Sequence, residues 1–194
     1  QAHARINRSR GDESIQLNPI GEGAVIPVGK GGLVVKPFRS THRVPCLGYA
    51  LWGKRRRLRA DLIGASKEII IAARKRGKEV NEEVEVPEVA FPGDTNLRVL
   101  ETSSGDVVRK ARLLLLECTF VGVEVSPADA RRTGHVHVRD FVDAARAGAF
   151  ENELIMLTHF SARYTIDRIR REMHDVLRTE PIRDRVRLLL PDRA

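Results

Sequence analysis

His159 follows directly on the apolar run Leu154 to Leu157 and Thr158, and Asp94 stands three residues beyond Val89-Ala90-Phe91. Imidazole nitrogens and carboxylate oxygens both ligate divalent transition metals, and a carboxylate can bridge two ions where an imidazole cannot. A lone histidine at a strand end is usually a hydrogen-bonded residue, but an aspartate in the same kind of position turns the pair toward metal binding. Glu117 closes a second apolar run, Leu113 to Leu116, and His135 lies in Gly134-His135-Val136-His137 just ahead of a predicted helix. A carboxylate that orients or charge-couples an imidazole suits it to acid/base work. The alternative is that His135 caps the helix and His137 is exposed. The HxH spacing with Asp140 does not read as a zinc site. In the pattern HxHxDH an aspartate follows the second histidine by two positions; here Arg139 stands there, and a cation beside a divalent metal is unfavourable. His42, in FRSTHRVPCLGYAL, reads by itself as a turn residue. Lys54, Arg55, Arg56, Arg57 and Arg59 form the densest basic run, either a solvated segment or a set of phosphate contacts.

These residues need elements to carry them. Short strands are expected over Val25 to Val28, Leu33 to Phe38 and Leu47 to Trp52, and a helix from about Ala60 to Arg76, stopped by Gly77. From Val84 onward an apolar strand ending in a polar residue and followed by a loop or helix recurs, which predicts a layered α/β fold. In such folds the carboxyl ends of the strands face ligands. Three acid or imidazole groups at three such ends predict one shared site. Amphipathic helices are expected over Val138 to Ala147 and Thr165 to Leu177, the second with Ile166, Ile169, Met173, Val176 and Leu177 as its buried stripe. The glycines around Lys30 do not make a phosphate loop, since Gly31 stands where Ser or Thr is required.

At 194 residues with 42% hydrophobic content the chain is sized for one globular domain, without a run near 18 apolar residues that could cross a bilayer. Two cysteines far apart give neither a disulfide scaffold nor a cysteine zinc site. Thirty-four basic against 26 acidic residues leave +8, which favours a polyanionic partner such as nucleic acid and equally fits a solubilising surface. With Gln1 in place of methionine and no leader-like segment, the chain reads as starting after any targeting sequence.

In order, FRSTHRVPCLGYAL, PEVAFPGDT, LLLLECTF, GHVHVRDFVDAA and LTHFSARY resemble the C-terminal two-thirds of tRNase Z, most closely its short plant and algal form. The resemblance implies a metallo-β-lactamase αββα sandwich, residues 1–194 being a single domain incomplete on its N-terminal side. Residues 53–88 would be a reduced basic arm. It implies an endonuclease that removes the 3′ trailer of precursor tRNA with two zinc ions (Zn2+), acting as a homodimer. Matched motif by motif, His42, Asp94 and His159 would be metal ligands, and Glu117 with His135 would assist proton transfer to the leaving oxygen. Leu116 and Val136 depart from the family's HEAT and HST motifs. The HxHxDH motif, source of further ligands, has no counterpart in these residues. Three ligands do not hold two zinc ions, so the missing ones would come from a longer product or a separate chain. The competing reading is a catalytically silent, tRNase Z-like RNA-binding or structural subunit of a ribonucleoprotein complex. The compartment stays open between an organelle (chloroplast or mitochondrion) and the cytoplasm or nucleus.

Overall fold

A computed structural model describes residues 18–191; the ends of the expected 1–194 domain, including the chain start at Gln1, lie outside the described residues. Among the described residues, seven strands form one sheet in chain order: β1 (Ile26–Val28), β2 (Leu33–Arg39), β3 (Leu47–Leu58), β4 (Asn81–Phe91), β5 (Leu113–Glu117), β6 (Leu154–Thr158) and β7 (Val186–Leu188). β1 to β4 pair antiparallel and β4 to β7 parallel. The connections dictate this change, because a parallel neighbour needs a crossover long enough to hold a helix. The crossovers carry α2 (Gly105–Lys110), then α3 (Pro127–Thr133) and α4 (Val138–Arg146), then α5 (Ile166–Leu177).

Side-chain alternation splits the sheet into two unlike faces. Ala50, Ala90, Leu114, Leu116, Ile155 and Leu157 are buried in one core cluster with Phe141 and Val142 of α4 and Ile169, Met173 and Leu177 of α5. At roughly 25 cal/mol per Å² of apolar area, each buried leucine contributes about 2 kcal/mol. The residues between them, Leu51, Val89, Leu113, Leu115 and Met156, share the other face, which stays half-exposed. The mixed α/β class expected from the sequence is therefore present as one helix-backed sheet with an apolar second face.

The outer strands differ from expectation. β3 continues six residues past Trp52, through the basic run, and pairs with β4 to Leu58↔Asn81. Residues 53–88 are thus the outer part of a long hairpin. The expected helix over 60–76 is shorter: Ala60–Leu62 is a 3-10 turn, Gly64 takes φ +82, and α1 spans only Lys67–Lys75. No residue of α1 is buried, so its apolar periodicity reflects no packing against the core.

Candidate active site

Two loops are stitched together before any functional side chain is involved. Thr41 donates its backbone N–H to Thr95 Oγ1 (3.2 Å), Asn96 donates its N–H to the Thr41 carbonyl (2.9 Å), and the Ser40 hydroxyl donates to the Pro92 carbonyl. His42 follows Thr41 and Asp94 precedes Thr95, so this stitching brings the two loops that carry them side by side. His42 Nδ1 then donates to the carbonyl of Gly134 (3.0 Å). Gly134 ends α3 at φ +89, and a Cβ there would lie 2.5 Å from His42 Nδ1. Glycine is needed for both the turn and the close approach.

Glu117, with a side chain only 1% exposed, is the hub. Its Oε1 accepts from Thr95 N–H (3.2 Å) and His135 Nδ1 (2.8 Å); its Oε2 accepts from the N–H of Thr119 (3.0 Å), the hydroxyl of Thr119 (2.8 Å) and the N–H of Val136 (3.2 Å). A carboxylate buried at a strand end is stabilised only when its lone pairs are filled in this way. The same bonds fix the Asp94-Thr95 loop and the segment bearing His135.

The three imidazoles lie together: ring centroids of His42 and His135 are 5.0 Å apart and those of His135 and His159 5.6 Å. Nε2 of His159 is 3.4 Å from Oδ1 of Asp94. That is about the edge of a tetrahedron whose metal–ligand bonds are near 2.1 Å, so the pair fits two ligands of one zinc-like ion. Glu117, His135 and His159 also offer ligand atoms within 4.8 Å of one another, a possible metal-binding triad. The five donors on Glu117 commit its oxygens elsewhere, whereas Asp94 is exposed; Asp94 with His159 is the better-suited pair.

His159 is the one non-glycine residue at positive φ (58°) among the described residues. Such a conformation costs about 1–2 kcal/mol and persists where its surroundings enforce it. His159→Gly is expected to leave thermal stability unchanged or raise it by up to about 1 kcal/mol, while removing a candidate metal ligand; a fall in melting temperature in calorimetry would show that the side-chain bond to Thr119 outweighs the backbone strain.

His42, Asp94, Glu117, His135 and His159 thus meet, while the basic run does not join them. It sits on the hairpin with acidic partners: Lys54–Glu83 (2.7 Å), Arg55–Glu88 (2.5 Å), Arg56–Glu79 (3.0 Å), Arg57–Glu82 (3.0 Å) and Arg59–Asp61 (3.1 Å). The alternative for the 134–137 segment is corrected: His137 is buried, and it, not His135, caps α4 by accepting from Arg139 N–H. Asp140 pairs with Arg131. Thr41, Thr95 and Thr119 were not singled out from sequence; the available signal was a small hydroxyl residue one or two positions from each candidate acid or histidine.

Curated proteins similar to the chain include tRNase Z TRZ1 of Arabidopsis thaliana, 34% identical over 170 residues, which are 87% of this chain and 59% of that protein. The chloroplastic tRNase Z TRZ2 of the same plant is 30% identical over 168 residues, 85% of this chain and 46% of that protein. The chain's sequence relatives are tRNase Z proteins. It spans about half the length of these relatives. No family model matches. Among solved structures, the metallo-beta-lactamase fold protein YhfI of Bacillus subtilis aligns at TM-score 0.47 and 17% identity, over 88% of this chain and 51% of that one. Human tRNase Z, short form, aligns at TM-score 0.43 and 19% identity, over 84% and 43%.

The two residues that depart from the expected motifs, Leu116 and Val136, both lie in the core. Leu116 faces the helices and is fully buried, on the sheet face opposite Glu117, so its side chain belongs to the core. Val136 is buried too and contributes to the site through its backbone N–H, which a change of side chain leaves in place.

Proposed function

We propose that this chain is the C-terminal part of a tRNA 3′-end processing endoribonuclease that cuts the trailer from precursor tRNA by two-zinc phosphodiester hydrolysis. The observation that carries the reading is the convergence of His42, Asp94, Glu117, His135 and His159 in a chain similar to tRNase Z over most of its length. His42, Asp94 and His159 would hold metal from this side of the site. Two zinc ions, when bound, supply Lewis acidity toward the phosphate oxygens and a nucleophile at neutral pH. His135, oriented by Glu117, holds a proton at Nε2 for the departing 3′ oxygen. The HxHxDH ligands come from a complementing segment, in the same product or in a separate chain, and the half-exposed sheet face is the surface available to it. Residues 53–88 serve as a reduced arm within one domain, the protein works as a homodimer, and an organelle is its compartment, in keeping with the name of the chloroplastic relative.

The direct test is the complete protein, loaded with zinc, on a precursor tRNA carrying an end-labelled trailer. Cleavage at the 3′ trailer junction that chelation abolishes supports the reading; tRNA binding without cleavage by the loaded protein favours a silent subunit. Lys54, Arg55, Arg56, Arg57 and Arg59 bind phosphates in this proposal, exchanging their carboxylate partners on the hairpin for them. Surface ion pairs are worth about 0–1 kcal/mol, so the exchange costs little. Arg55→Gln, Arg56→Gln and Arg57→Gln together should flatten the log–log salt dependence of tRNA binding by about 0.7 to 0.9 for each phosphate no longer neutralised. An unchanged slope assigns the run to the hairpin alone.

A further inference from the structure

We propose that Thr119 is a positioning residue that sets which nitrogen of His159 carries the proton, leaving Nε2 as the lone pair that faces Asp94. A threonine hydroxyl has one proton to give and two lone pairs. The Thr119 oxygen is 2.8 Å from Glu117 Oε2, 2.9 Å from His159 Nδ1 and 3.3 Å from His135 Nδ1. Glu117 is the acceptor for backbone N–H groups that cannot reverse their role, so the hydroxyl proton goes to Glu117. The Thr119 oxygen is then an acceptor toward His159, whose Nδ1 must be the donor. A neutral imidazole protonated at Nδ1 has its lone pair at Nε2, the atom 3.4 Å from Asp94 Oδ1. Without a cation between them the Asp94 carboxylate favours the opposite tautomer, and the shorter Thr119 bond (2.9 Å) is what holds the proton at Nδ1. Second partners that fix the tautomer of a ligating histidine are a general requirement of metal sites.

The main chain of Thr119 supports the same task. Its carbonyl accepts from Ser161 N–H (3.0 Å), and the preceding Cys118 N–H donates to the Thr158 carbonyl (2.8 Å), so one short segment brackets His159 on both sides. That bracket accounts for the positive φ of His159, and the hydroxyl adds rotation and tautomer of the ring. The proton placement rests on hydrogen bonds alone; only its consequence for metal binding rests on the proposed function.

The test uses the whole chain, metal-free and labelled with 15N-histidine, at a pH where the imidazoles are neutral. Long-range 1H–15N correlation is expected to report His159 as the Nδ1–H form in the wild type and in Thr119→Ser. In Thr119→Val, which keeps the shape and loses the hydroxyl, the Nε2–H form should gain population and zinc affinity should fall by about 10- to 100-fold. Thr119→Ala serves in place of the valine variant if the latter does not fold. A wild-type His159 already in the Nε2–H form overturns the proposal, as does a Thr119→Val protein whose tautomer and zinc affinity match the wild type. Equal losses in Thr119→Ser and Thr119→Val would assign Thr119 a packing role and overturn it also. If these tests pass while the complete, zinc-loaded protein leaves precursor tRNA uncut, the proposed function is refuted and the proton placement stands.

Discussion

Replacement of Glu117 by glutamine should cost the folded protein about 3 to 5 kcal/mol, a large part of the stability of a domain this size. The carboxylate is buried and accepts five hydrogen bonds from Thr95, Thr119, Val136 and His135. Glutamine keeps one oxygen and turns an amide NH2 toward groups that are themselves donors, so backbone N–H groups are left unpaired at about 1 to 3 kcal/mol each. The reference is Asp94→Asn, a change at an exposed carboxylate, for which the stability change should stay within about 0.5 kcal/mol. Urea denaturation of the two variants beside the wild type decides the matter. A Glu117→Gln midpoint equal to that of Asp94→Asn would mean that Glu117 is not the hub of the site.

The second large effect separates chemistry from metal retention. In a complete, zinc-loaded enzyme, His135→Ala should lower the cleavage rate by about 10² to 10⁴, the range for one general acid, with metal content and tRNA affinity nearly unchanged. Asp94→Ala should instead deplete metal if, as proposed, this exposed carboxylate would hold metal beside His159 and offset its charge. Single-turnover cleavage and metal analysis on the same preparations distinguish the two. If His135→Ala lost zinc and Asp94→Ala kept it, the assignments of these residues would be interchanged.

The sequence made the inner strands legible because each is a short apolar run ending in a polar residue, and it located Glu117 at the last position of β5 and His159 just beyond β6. α4 and α5 were legible because their apolar stripes bury real area against the sheet. The tip of the hairpin was not, since Leu62, Ile63, Ile69, Ile70 and Ala73 recur at roughly helical spacing, yet the helix formed there is short and buries none of its residues. Nor could local pattern reveal the extent of β3. Its outer half alternates charge with charge, and only the glutamates of β4 opposite it, some 25 to 30 residues along the chain, explain why it is extended. The threonine bonds of the site escaped for a related reason: they join residues 22 and 40 positions apart, and no local periodicity encodes them.

The hairpin also has a metric consequence. β3 begins five residues after His42 and β4 ends three residues before Asp94, so both candidate ligands are anchored at its base. Eleven residues of β4 at about 3.3 Å each extend roughly 36 Å. Ladder hydrogen bonds and crossed charges stiffen that span, which makes the hairpin a ruler with its zero mark at the site. Removing two residues from each strand would shorten the ruler by about 7 Å and keep every side chain on its own face, whereas removing one would turn the graduations over. Selection acting on such an element would preserve its length and parity while leaving the identity of individual charges free to drift.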